Sequence, residues 1–146
     1  MGAEPAHRAY FLDEVTGLAA GHRPCGECRY RDYQAFKRAW AAAFGGGVPG
    51  VAEIDARLHE DRLVRAGVRR SYAAAWPELP DGVMVSVGGA PFLVWGGELL
   101  AWTPGGYQGS GRPAPATPVT VITPRSTVAV LAAGYRPVVH PSAVTP

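Results

Sequence analysis

Two Gly-Gly pairs cut the second half of this chain into three short apolar runs, and no other feature limits the fold as strongly. The runs are Val83-Met84-Val85-Ser86-Val87, Pro91-Phe92-Leu93-Val94-Trp95 and Glu98-Leu99-Leu100-Ala101-Trp102, with Gly88-Gly89 and Gly96-Gly97 between them. Two-residue glycine links supply the positive-φ turns that join antiparallel strands, so the pattern predicts a three-stranded meander. A Gly/Pro-rich stretch from Thr103 to Pro118 reads as a loop, leading to a fourth strand over Val119-Thr120-Val121-Ile122. Pro124 behind Thr123 then opens a helix through Leu131. Trp95, Trp102 and Tyr107 on the meander can line a pocket or fill the core, and core is the expectation.

The first half reads differently. Asp13 is a natural N-cap for a short helix over Glu14 to Ala20, and Gly21 is a natural left-handed terminator. A second helix is predicted from Tyr30 to Phe44, with Tyr33, Phe36 and Trp40 at helical spacing. Those rings can stack on bases, but an apolar stripe of this period is expected in the core. Gly45-Gly46-Gly47-Val48-Pro49-Gly50 breaks the chain, and a third helix is expected over 51–66 with Ile54 and Leu58 inward. Ser71 to Trp76 reads as a further helical turn before Pro77 and Pro80. The whole is expected to be one α+β domain, residues 1–146, with a mainly helical half (1–76) packed on a small antiparallel sheet and C-terminal helix (82–146). At 146 residues the chain can bury a substantial core without staples.

Gly, Pro or Arg interrupts each hydrophobic stretch before it reaches membrane-spanning length, so no membrane partner is expected. No signal-like segment opens the chain, and the expected location is cytoplasmic. The net charge of +2 does not announce nucleic acid, but its distribution is informative. Arg23, Arg29, Arg31, Lys37 and Arg38 crowd around residues 25–28, whereas Ser71 to Pro146 holds only Arg112, Arg125 and Arg136. Arginine suits bidentate phosphate contacts, although an arginine-rich composition alone also accounts for the bias.

The two cysteines, Cys25 and Cys28, sit two residues apart on the turn Gly21-His22-Arg23-Pro24-Cys25-Gly26-Glu27-Cys28-Arg29. That spacing lets both sulfurs bite one ion, and in a reducing compartment it is more a metal or redox feature than a disulfide. A thioredoxin-like pair is disfavoured, since the strands arrive too late for a βαβ frame. Two reduced thiols with no metal remain an alternative. With no second cysteine pair, a closed site needs other ligands, and Cys25, Cys28, His59 and His140 form the best Cys2His2 composition for Zn2+. If one histidine stays out, the fourth position is open, and Glu27, Asp32, Glu60 or Asp61 can act as base or outer support.

Residues 11–29, with the string Ala-Ala-Gly-His-Arg-Pro-Cys-x-x-Cys, resemble the second half of the Ada-type zinc-binding domain. The resemblance implies that Cys25 and Cys28 are a zinc pair and that DNA is the partner. The family's upstream cysteine pair, which includes the methyl acceptor, has no counterpart here, so methyl transfer is not implied. His22 holds the family's aromatic position. The stretch from Asp32 to Trp40 also resembles bacterial proteins sharing the turn, which lend no function.

Three functions follow as expectations. The leading one is a zinc-binding, nucleic-acid-associated domain in which Arg23, Arg29, Arg31 and Arg38 touch phosphates. The others are a small metalloenzyme acting on a small molecule, and a structural-zinc module that binds another protein. One internal echo stands apart: Leu18-Ala19-Ala20-Gly21-His22-Arg23-Pro24 recurs as Leu131-Ala132-Ala133-Gly134-Tyr135-Arg136-Pro137, which reads as one helix-stop signal used twice.

Overall fold

The first helix, α1 (Glu14–Ala19), is begun and ended by its own sequence. The Asp13 carboxylate accepts the Thr16 amide at 3.1 Å, and the Thr16 hydroxyl accepts the Asp13 amide at 3.0 Å, a reciprocal capping box. Gly21, at φ +98°, ends it: its N–H donates to Leu18 O and that of His22 to Gly17 O. This is the paired bonding of a Schellman stop. The computed structural model describes residues 12–27, 29–62, 64–65, 68–69 and 71–143.

Helix α2 (Tyr30–Phe44) buries Tyr33, Phe36, Ala39 and Trp40, one stripe at helical spacing, so the predicted aromatic face is core. Helix α3 (Val51–Arg62) turns Ile54 and Leu58 inward. It stops earlier than the sequence suggests, because Val64–Arg65 (β1) pairs antiparallel with Val68–Arg69 (β2). The remaining strands are β3 (Tyr72–Ala75), β4 (Met84–Val87), β5 (Ala90–Trp95), β6 (Glu98–Thr103), β7 (Gly106–Gly111) and β8 (Pro118–Val121). They form one antiparallel six-stranded sheet in the order β3-β8-β4-β5-β6-β7, followed by helix α4 (Arg125–Ala132).

The predicted α+β class and the meander are present, with two corrections. Ser71 to Trp76 is not a helical turn: Tyr72–Ala75 pairs with β8 from Tyr72↔Val121 to Ala75↔Pro118, and only Trp76–Glu78 coils as a 3-10 turn. Pairing to a neighbouring strand overrides the helical preference of the alanines. The stretch from Thr103 to Pro118 is not all loop either, since Gly106–Gly111 adds a strand beside β6. The short connection after β7 then carries the chain back across the sheet to β8, held where the Trp76 indole donates to Ala114 O at 3.3 Å.

Both faces of the sheet are covered. Val85, Val94, Leu99 and Val121 face Phe36, Trp40, Ile54, Leu58 and Leu131 from α2, α3 and α4. The alternate residues Met84, Leu93, Leu100 and Tyr107 pack under Val15 and Ala19 of α1, with Val139 and Ala143 of the C-terminal segment. Trp95 and Trp102 join this second layer, as expected for core residues. No helix among the described residues is long and apolar enough to cross a membrane.

Candidate functional site

The cysteine turn hangs between α1 and α2, and its arginines divide into two pairs. Arg23 grips Asp55 of α3 with two bonds of 2.8 and 3.1 Å, donates to Pro24 O, and lies over the Tyr33 ring. The hydrogen bond to Asp55 raises its pKa against the opposing effect of burial. Arg29 donates to Glu14 at 3.0 Å and to Asp32. Burial pulls the Arg29 pKa down, but the bond and charge of Glu14, then those of Asp32, outweigh it and hold the guanidinium firmly charged. Both arginines are therefore committed to ties within the fold. Arg31 and Arg38 are exposed, seven residues apart on one face of α2, and form no ion pair among the described residues.

Cys25 is exposed, and its sulfur accepts the Glu27 amide at 3.4 Å while its carbonyl accepts the Arg29 amide at 3.2 Å. The thiolate is the form in which a cysteine ligates a metal. Cys28 lies outside the described residues, as does His7. His59 is exposed on α3. His140 is half-buried, with Nδ1 at 2.8 Å from the Ser142 hydroxyl and accepting the Ser142 amide at 3.2 Å. Among the described residues no three His, Cys, Asp or Glu side chains gather closely enough to hold a metal ion, so Cys25, His59 and His140 do not come together as a set.

What does converge is a polar hub that sequence reading does not reveal. Its centre is the adjacent pair Asp13 and Glu14 at the start of α1. Asp13 Oδ2 accepts the Tyr107 hydroxyl at 2.9 Å and the His140 amide at 2.8 Å. Glu14, with only 6% of its side chain exposed, accepts from Arg29, from the Tyr135 hydroxyl and from the Val138 amide at 2.7 Å. Burial first, and then the neighbouring carboxylates, push both tyrosine hydroxyls far above the ordinary phenol range. The Ser142 hydroxyl closes the ring by accepting the Tyr107 amide at 2.8 Å. Gly106 permits this approach: at φ +144°, a Cβ there would stand 2.9 Å from Ser142 Oγ. The only sequence signal for the hub is the Asp13 cap, since Arg29 apart its partners Tyr107, Tyr135, Val138 and His140 lie 94 to 127 residues from the pair.

Beside α2, a groove of about 500 Å3 runs between this helix and the C-terminal end of α4. Arg38, Arg136 and Asp32 are its charged residues, over a floor that includes Ala35, Ala39 and Gly134. The chain matches no protein-family model, no curated protein and no solved structure.

Proposed function

We propose that this domain associates with nucleic acid through the exposed cationic face of α2, and that Cys25 and Cys28 grip a zinc ion that fixes the adjoining turn. The observation that carries the reading is the division among the four arginines. Arg23 and Arg29 are neutralised within the fold, whereas Arg31 and Arg38 project from one helix face with no carboxylate partner among the described residues. Guanidinium groups in that state are suited to phosphate oxygens. Support for the metal is narrower: an exposed sulfur on a closed turn, already receiving one amide. The described donors alone do not amount to a zinc site, so Cys28 and further ligands have to complete it.

Two measurements test the parts separately. Elemental analysis of the purified protein is expected to find zinc near one per chain, lost in Cys25→Ser; equal metal-free preparations of both would contradict the zinc assignment. Loss of metal in His59→Ala or His140→Ala would add that imidazole to the ligand set. Binding to a labelled DNA duplex is expected to weaken steeply between about 50 and 200 mM salt, as phosphate contacts require.

A further inference from the structure

The groove between α2 and α4 has an electrostatic character that its composition hides. Its single carboxylate, Asp32, is already paired with Arg29. Among the described residues, Arg38 on α2 and Arg136 just beyond α4 therefore form no ion pair, one guanidinium contributed by each side. The negative end of α4 is also tempered, because the Gly134 and Tyr135 amides cap the carbonyls of Leu131 and Val130. Alanines and Gly134 keep the floor low, so a chain of phosphates can settle between the guanidinium groups. Tyr135, the aromatic side chain among the described lining residues, offers no stacking face: it is buried in a T-shaped contact with Phe36, and its hydroxyl is held by Glu14.

Resting on the nucleic-acid reading above, we infer that this groove seats the sugar-phosphate backbone. Arg38 and Arg136 clamp phosphates from opposite sides, and recognition is independent of base sequence. Backbone contacts set position and affinity, whereas base edges or stacking would be needed to specify sequence.

The test is fluorescence anisotropy with two labelled DNA duplexes of unrelated sequence, at two salt concentrations. Arg136→Ala is expected to weaken both duplexes by the same several-fold factor and to reduce the salt slope by about 0.9. Ala42→Glu adds an anion at an exposed position lining the groove, one helical turn beyond Arg38 and within reach of its guanidinium, while both arginines stay in place. It is expected to weaken binding about tenfold or more, whereas Ala52→Glu, the same charge change on the exposed face of α3, has much less effect. If the wild-type chain binds with a normal salt slope but Arg136→Ala changes nothing, or the two glutamates act equally, the groove is wrong and the nucleic-acid reading survives. If one duplex is preferred strongly, the backbone-only mode is overturned. If the wild type binds neither duplex, both inferences fall.

Discussion

Adjacent carboxylates at the start of one short helix do different work from the carboxylates on the surface. Glu14 is nearly enclosed and has three donors, so its removal strands a guanidinium, a phenol and a backbone amide together. Among the described residues Asp55 answers only Arg23, and half of its side chain is in solvent. Glu14→Ala is therefore expected to cost about 3 kcal/mol in urea unfolding, against less than about 1 kcal/mol for Asp55→Ala. The tyrosines give a second check. Because the fold raises the Tyr107 and Tyr135 pKa values, both bind their protons more tightly when folded than when unfolded. Their contribution to stability is complete below the unfolded phenol pKa of about 10 and is lost as pH rises beyond it. Stability measured from pH 9 to 11 should fall, and Tyr135→Phe should flatten that fall. An unchanged slope in the variant would refute the linkage.

Elements written in local signals were readable, and elements written in pairing were not. Helix α2 appears over the predicted residues because Tyr33, Phe36 and Trp40 mark its buried face and Gly45 follows it. The repeated Ala-Ala-Gly string proved to be two Schellman stops with matching bonds, at Gly21 and at Gly134. By contrast, β3 is an alanine run that reads as helix, and β7 is a glycine-rich run that reads as loop. Each becomes a strand only beside its partner, β8 or β6. The polar hub was hidden for the same reason: Asp13 meets Tyr107 and His140 across most of the chain's length. A matched pair of glycine variants tests how the C-terminal segment docks on β7. Gly106→Ala must displace Ser142 and adopt an unfavourable φ, so it is expected to destabilise by about 1–3 kcal/mol. Gly105→Ala meets open space and should be near neutral. Equal effects would contradict the close approach at Gly106.

On the scale of the molecule, a six-stranded sheet carries a packed apolar layer on each face. Three helices cover one face, and α1 with the C-terminal segment covers the other. The Asp13–Glu14 hub fastens the two parts of that second layer, and Arg29 ties the cysteine turn to the same point. This arrangement consumes half of the basic cluster that the sequence presented as one phosphate-binding group. Charge counting along the chain cannot separate a guanidinium that holds a fold together from one that faces a ligand, because the difference lies in partners brought from α1 and α3. The decisive measurement is the slope of log K against log salt for a DNA duplex, compared between Arg31→Ala, Arg38→Ala and Arg23→Ala. Each of the first two should lower the slope by about 0.9, while Arg23→Ala should leave it nearly unchanged. A wild type without salt-dependent binding, or an Arg23→Ala effect as large as the other two, would contradict the account.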